Sequence, residues 1–377
     1  MNIKWTIYAA SILLIACGSP SNNKNTVVSP NSNAKEVKKN EKNKSSNKKA
    51  TGLITSEANN ETGLKPFNGE VLAFYNVENL FDTKNDPKVK DEDFLPNSDL
   101  HWTAERYTKK LNNIADVADK LKGDLPIFMG MVEVENRSVL EDLISKTKLK
   151  SGNYGISHKN SPDIRGIDVA LIYRKEYAKL LSSESLRVSI PNTLTRDILY
   201  TKFELEGKEI LHTFVNHWPS RRKGQEASEY KRVHAAKTLK TKVDQIFKAN
   251  PNANIVIMGD FNDYPNNKSL KSILKAGTDT RKLYNLAYKM HMASKDTQIG
   301  THSYKGEWGM LDQIIVSPNM LNKKGNFGIS QDDFDVFYED FLIFQHPKYK
   351  TYQPNRTYAG PKYIGGHSDH LPVYVEL

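Results

Sequence analysis

The sequence predicts a mixed-sheet α/β domain over residues 67–377, and three observations carry that prediction. Short apolar runs, each ending at or near an Asn, Asp, Glu or His, intersperse with longer stretches of helical periodicity. The two kinds of segment do not alternate with the even spacing of an all-parallel sheet. No internal repeat and no second linker breaks the pattern after Phe67.

Residues 70–75 read as a strand ending at Asn76. Residues 103–121 read as an amphipathic helix, because Leu111, Ile114, Val117, Ala118 and Leu121 recur at helical spacing. Thr103 offers its cap, although Arg106 stands where a reciprocating acid would. Residues 125–132 form a short apolar strand that delivers Glu133. Further strands are expected over 168–173 and 210–215, then a long helix over 225–248. The run 255–258 looks the most buried; 311–316 and 371–377 complete the set.

Charge argues against a strongly nucleic-acid-binding domain. The chain has 54 Lys and Arg against 44 Asp and Glu, a net charge of +10. Ten Lys and four Glu fall within residues 1–66, so residues 67–377 carry only +4. Such a domain fits a polyanionic substrate without demanding one.

The first 66 residues are of another kind. After Lys4, an apolar stretch over 5–15 is too short to span a bilayer and has the size of a signal-peptide core. Leu14-Ile15-Ala16-Cys17 is similar to the bacterial lipobox, in which Cys17 would be acylated and become the new N-terminus. The alternative is an ordinary cleaved signal in which Cys17 is incidental. Cys17 is the sole cysteine, so the chain forms no internal disulfide. Residues 18–66, rich in Asn, Ser and Lys and nearly free of aromatics, are expected to be a disordered tether. Its lysines suit nucleic acid or anionic headgroups, but a solvated spacer between anchor and domain is the favoured reading. The expected location is exported and lipid-anchored to the cell envelope, on the periplasmic face or the cell surface.

The strand ends carry the chemistry. Glu133 directly follows an apolar strand, where a carboxylate is costly unless it is paired or binds a metal. Asp369 stands comparably before the final strand. With the Asn76 amide these oxygens suit Mg²⁺, which takes few protein ligands, and Glu78 could add another contact. In Gly259-Asp260-Phe261-Asn262-Asp263 the alternate residues Asp260 and Asn262 share a face. An acid to accept a water proton and an amide to hold phosphate is one reading; an Asx turn is the other. Asn216-His217 ends its own strand, and Arg221 and Arg222 follow closely as phosphate-binding candidates, with Trp218 packing between. Asp312 is the candidate partner of His370, keeping the imidazole protonated and oriented.

Taken together, Asn76, Glu133, residues 165–173, Asn216-His217, Gly259-Asp260-Phe261-Asn262, Leu311-Asp312-Gln313-Ile314 and Ser368-Asp369-His370 resemble the endonuclease/exonuclease/phosphatase superfamily, in the right order over nearly all of 67–377. The resemblance implies a four-layer α/β/β/α sandwich, with two mixed β-sheets packed face to face and helices outside. It implies a metal-dependent phosphoesterase using Mg²⁺, with Mn²⁺ or Ca²⁺ as alternatives. Glu133 would be the main ligand, helped by Asn76, Asp369 and Glu78. Asp260 would activate water, Asn262 would hold phosphate, and His370 buttressed by Asp312 would stabilise the transition state. His217 would stand on the phosphoryl or leaving-group side. Tyr173 and Arg165 would touch the phosphate, as would Asn216. One departure is a long stretch, 317–364, between the Asp312 strand and the C-terminal motif. Its Arg356 is expected to reach substrate, while Phe334, Phe337 and Phe341 pack it down.

Three functions follow as expectations. The first is an exported nuclease or nucleotide phosphodiesterase acting on DNA, RNA or nucleotides. The second is a phosphatase or phosphodiesterase for sugar, inositol or lipid-headgroup esters. The third is a non-catalytic surface binding module on the same fold. The chain is expected to be a monomer.

Overall fold

The apolar runs before Asn76 and Asp260 become the centres of two six-stranded sheets. The computed structural model describes residues 63–297, 299–321, 328–348 and 350–377, so Cys17 and nearly all of the predicted tether lie outside it. The strands of the two sheets are β1 (Val71–Leu80), β2 (Phe128–Val134), β3 (Tyr154–His158), β4 (Asp168–Arg174), β5 (Lys179–Leu186), β6 (Ile198–Glu204), β7 (Ile210–His217), β8 (Asn254–Asp260), β9 (Tyr284–Asn285), β10 (Asp312–Val316), β11 (Asp335–Val336) and β12 (Val373–Glu376). The helices are α1 (Ala104–Lys120), α2 (Arg137–Lys146), α3 (Gln225–Ala249) and α4 (Tyr288–Thr297).

The first sheet runs β11-β12-β1-β2-β4-β3 and the second β5-β6-β7-β8-β10-β9. Each is mixed, with one parallel pair at its heart: β1 beside β2, and β7 beside β8. A helix makes each parallel crossover possible, α1 between β1 and β2 and α3 between β7 and β8. The carboxyl ends of all four central strands therefore gather at one rim.

One continuous core lies between the sheets and under α1 and α2; it takes in Phe74, Met131 and Leu171 with Val215, Met258 and Ile314. A second core holds Phe214, Ile257, Ala236, Leu239 and Val243 between the second sheet and α3. Each large side chain fully buried there contributes on the order of 1.5–3 kcal/mol. The layers are thus helix, sheet, sheet, helix, as the resemblance implied. Gly259 allows the closest approach within the second sheet: a Cβ there would stand 2.4 Å from the Asn216 carbonyl oxygen. Among the described residues no helix is long and apolar enough to cross a membrane.

Three expectations change. Strands β3, β5, β6, β9 and β11 and helices α2 and α4 were not anticipated; β5 is mostly exposed and lacks apolar alternation. Central strands run past their predicted ends, so Glu133 lies within β2, and His217 and Asp260 are the last residues of β7 and β8 rather than following them. The end of the predicted tether is packed on the fold: Leu64 is buried and the Lys65 N–H donates to Glu176 O at 2.8 Å.

The 317–364 stretch is built into the domain. Its β11 extends the first sheet against Val373 and Tyr374. Phe334 and Phe337 are buried, and Phe341 packs on the same core. Two hairpins follow, Ile343–Gln345 with Tyr352–Pro354, and Tyr358–Ala359 with Lys362–Tyr363.

Candidate active site

Sheet register alone lines up three of the functional side chains. His217 of β7 pairs with Asp260 of β8, and Asp260 pairs with Asp312 of β10. Residues level across adjacent strands point to the same face, so a histidine and two acids stand in a row on the face that meets the first sheet. His217 Nε2 lies 3.6 Å from Asp260 Oδ2 and 3.8 Å from Glu133 Oε1.

Two bulges aim the first sheet's residues at that row. Pairing of β1 with β2 shifts between Asn76 and Leu80, and pairing of β2 with β4 shifts between Val132 and Val134. A bulge re-aims the extra residue, here Glu78 and Glu133. The backbone is strained where it does so: φ is +51° at Glu78, +58° at Asn79 and +64° at Glu133, with +50° at Asn262 opposite. Each such residue costs about 1–3 kcal/mol, and four of them fall in this one site. Asn79 N–H donates to Glu133 Oε2 at 3.1 Å, which locks the bulged loop to the carboxylate it presents.

Asp260 is the most fully held acid. Its Oδ2 accepts from Asn76 Nδ2 at 3.2 Å and Asn262 Nδ2 at 3.1 Å, and its Oδ1 from the Asn262 N–H at 2.9 Å. His370 Nδ1 sits 2.7 Å from Asp312 Oδ2 and its Nε2 3.9 Å from Asp260 Oδ2. Ser368 ties this C-terminal loop to β1, its Oγ donating to Asn76 O and accepting from the His370 N–H.

Charge follows burial. Burial first, then the Asp312 charge, pushes Asp260 up to about 7. Burial and then Asp369 push Glu78 up to about 7. Glu133 is raised by burial and by Asp369. Burial alone would lower His370, but Asp312, by charge and by hydrogen bond, outweighs it and holds the imidazole well above its ordinary value. Burial, reinforced by Arg196 and Arg165, holds His217 well below its own. The site thus pairs an imidazolium with a neutral imidazole.

The donor set fits a divalent cation. Glu78, Glu133, Asp260, Asp312 and Asp369 crowd one rim, and among the described residues Glu133 Oε1 is held loosely, by a 3.5 Å hydrogen bond from Asn76 Nδ2 and by His217 Nε2 at 3.8 Å. Asp260, Asp312 and His370 also have ligand-like spacing, their donor atoms lying within 4.8 Å of one another. That trio is better read as an ion-paired imidazolium beside an acid, because a protonated ring has no lone pair to give a metal.

A pH consequence arises at once. Glu78 and Asp260 keep protons in the folded chain up to about pH 7 that they release below pH 5 when unfolded. Raised carboxyl values contribute stability at low pH that is lost as pH rises through 7, and the raised His370 acts in the same direction. In chelator the melting temperature is therefore expected to be several degrees lower at pH 8 than at pH 6.5. Mg²⁺ should restore more at pH 8, where the acids are charged. Melting curves at the two pH values with and without Mg²⁺ test this; identical apo melting temperatures would contradict it.

The structure brings Glu78, Glu133, Asp260, Asn262, His217, Asp312, Asp369 and His370 together, with Arg356 and Arg165 at the margin. Four expected residues are placed otherwise. Tyr173 pairs with Phe128 at the opposite end of the ladder, five residues from Asp168 at the site end. At the strand rise that is roughly 17 Å away, and its ring packs on Phe203 instead. An antiparallel strand carries its last residues away from the rim. Asn216 spends its amide inside the fold, donating to Met258 O at 3.1 Å and accepting from Trp218 Nε1 at 3.1 Å. Arg221 donates to Asn262 O at 2.7 Å and lies over the Tyr264 ring, bracing the Asn262 loop rather than facing phosphate. Asn76 turns its nitrogen to Glu133 and Asp260 while its oxygen accepts from the Glu78 N–H, so it braces the acids instead of offering an oxygen to an ion. Arg222 is exposed.

Sequence reasoning missed several supports. Buried Arg196 donates to Asp163 Oδ2 at 3.0 Å and Trp218 O at 2.7 Å, and Asp163 in turn holds Arg165. Thr301 Oγ1 accepts from the Asp312 N–H at 3.1 Å. The His302 ring lies against His370, with centroids 4.8 Å apart and planes tilted by 43°. Buried Lys110 donates to Thr357 Oγ1 and His367 O, both at 2.7 Å. A lysine on an apolar helix face, out of register with its charged neighbours, was the one readable signal among these.

A model of the family described as Endonuclease/Exonuclease/phosphatase matches residues 71–377. Among solved structures, the chain is similar to an endonuclease/exonuclease/phosphatase family protein from Bacteroides thetaiotaomicron, at 15% identity and TM-score 0.50, over 83% of this chain and 98% of that one. It is similar to the human Nocturnin catalytic domain with bound sulfate, at 17% identity and TM-score 0.48, over 82% of this chain and 93% of that one. A mannosyl-6-phosphatase from Bacteroides thetaiotaomicron VPI-5482 is similar at 14% identity and TM-score 0.46, over 82% and 99% respectively. No curated protein sequence matches the chain.

Proposed function

The chain belongs to the endonuclease/exonuclease/phosphatase family, and from that premise we propose that it is a Mg²⁺-dependent phosphoesterase that hydrolyses phosphodiester bonds, an exported nuclease or nucleotide phosphodiesterase. The observation that supports this best is the row His217–Asp260–Asp312, faced by Glu133 from the other sheet and closed by His370.

In this reading Glu133 would hold the ion, with Asp369 and Glu78 beside it. When bound, Mg²⁺ would polarise a phosphoryl oxygen and screen its charge. Asp260, gripped by two amides, takes the proton of the attacking water. Asn262, expected to hold phosphate, spends its side-chain amide on Asp260 Oδ2 and Trp218 O, and Arg221 holds its carbonyl, so in this reading it orients Asp260. The His370 imidazolium faces the charge that develops in the transition state, and Asp312 keeps it protonated and oriented. Neutral His217 serves the phosphoryl or leaving-group side, and Arg165 and Arg222 offer cationic rim contacts to a longer substrate.

One observation favours the second reading, a small phosphate ester. Arg356 and Thr357 of the 317–364 stretch close on Glu78 and Asp369, walling one side of the site. Turnover by the full chain with Mg²⁺ decides between them, on duplex DNA, RNA, nucleotides, bis-nitrophenyl phosphate and sugar or inositol phosphates, with chelator as the control. Chelator-sensitive cleavage of DNA or RNA supports the nuclease. Activity confined to small esters moves the function to the second reading. Silence throughout would favour a binding module on this fold.

Export, acylation at Cys17 and action as a membrane-anchored monomer complete the proposal. Cys17→Ser is expected to move the chain from the membrane fraction to the soluble one; a variant that stays with the membrane would refute anchoring at Cys17.

A further inference from the structure

Glu78 and Asp369 stand beside Glu133, yet they already face a cation of the chain's own. Arg356 Nη2 donates to Asp369 Oδ2 at 2.5 Å, and its Nε lies 3.6 Å from Glu78 Oε1. One guanidinium thus spans two acids that would otherwise be free to share an ion.

The backbone behind Arg356 is held from several sides. Asn355 N–H donates to Leu342 O at 2.7 Å, and Asn355 O accepts from the N–H groups of His367 and Ser368 at 2.6 and 3.2 Å. Gly366 N–H donates to Arg356 O at 3.2 Å, and Gly366 lies so close that a Cβ there would come within 2.1 Å of Asn355 O. Thr357 N–H donates to Glu78 Oε2 at 2.6 Å. The residue carrying the guanidinium is therefore seated between the C-terminal motif and the β1 bulge. Lys110, buried on α1, reinforces the seat through Thr357 Oγ1.

We propose that Arg356, rather than a second divalent ion, is the counter-charge of the Glu78–Asp369 pair, so that the chain takes a single divalent ion, at Glu133. A guanidinium presents its donors in a rigid planar fork that suits two neighbouring carboxylates. A second hard cation would have to displace it and then dehydrate between two carboxylates, which Mg²⁺ does reluctantly. Glu133 differs because, among the described residues, the cation nearest its Oε1 is the His217 ring at 3.8 Å, and its one hydrogen bond there, from Asn76 Nδ2, is 3.5 Å long. The inference rests on the metal-dependent reading above and says which of its acids the ion uses.

Mn²⁺ alone is the probe, with free ion counted by electron paramagnetic resonance as it is titrated into the full chain. The native chain should bind one Mn²⁺. Arg356→Gln, which keeps bulk but not charge, should bind two. Arg356→Lys, which keeps the charge, should stay at one; circular dichroism checks the fold of each. Two ions on the native chain, or one on a folded Arg356→Gln, overturns the inference alone. No ion on the native chain overturns it together with the metal-dependent reading, so the two failures are told apart.

Discussion

An Asp260→Ala chain is expected to lose turnover by about 10³-fold or more, the upper part of the range for a positioned general base, while its melting temperature changes by only a few degrees. The carboxylate is 2% exposed and accepts three hydrogen bonds, so truncation strips partners from Asn76 and Asn262. That cost is offset because the same change removes a buried negative charge beside Asp312 and Glu133. The acid sits where it destabilises the fold, as expected of a group kept for chemistry. Rates on the best ester of the panel, taken with melting curves, test both halves. Turnover within tenfold of the native chain would remove Asp260 from the mechanism; unfolding would show that its bonds outweigh its repulsions. Asp260→Asn is a useful companion, because it preserves volume while presenting a donor to two donors.

His370 gives the second large effect. His370→Ala should lower turnover by about 10²–10³-fold, the loss seen when one preorganised donor to developing charge is removed. Its pH signature is sharper. The Asp312 contact at 2.7 Å, with Asp260 and Asp369 nearby, keeps the imidazole protonated well above its usual range despite burial. Activity that needs the imidazolium is present below that raised value and lost as pH rises through it. Asp312→Asn removes the chief raising partner and should pull the alkaline limb of the rate profile toward neutrality. Because Asp312 is fully buried and bonded to the His370 ring, this moves a pH limb rather than only scaling the rate. An alkaline limb unmoved in Asp312→Asn would show that His370 is not the group that titrates there.

The site was legible to different depths for different residues. Asp260 and Asn262 were readable because they flank an apolar run, and a ladder that ends in Gly-Asp-Phe-Asn has few structural reasons to do so. The Asp312–His370 pair was readable only as a match of candidates 58 residues apart, and a hydrogen bond joins them. Tyr173 was misplaced because a sequence does not state which end of an antiparallel strand meets a rim. Asn216 and Arg221 were misassigned for another reason. A polar residue beside a catalytic one is as often a brace as a ligand, and only its hydrogen-bond partners distinguish the two. Arg196 and Thr301 carried no signal, since each supports the site from a segment without apolar periodicity.

By itself the sequence determined the fold class, the positions of the central strands along the chain and the identity of most acids and histidines at the rim. Those features depend on local pattern: side-chain periodicity, the residue that ends each run, and the charge difference between the two ends of the chain. The tertiary structure decided the rest. Cross-strand register set His217, Asp260 and Asp312 level with one another, two bulges turned Glu78 and Glu133 inward, and packing of the 317–364 stretch brought Arg356 onto Asp369. Register, bulges and long-range packing are set by the simultaneous burial of many side chains on two faces, and no single segment contains them.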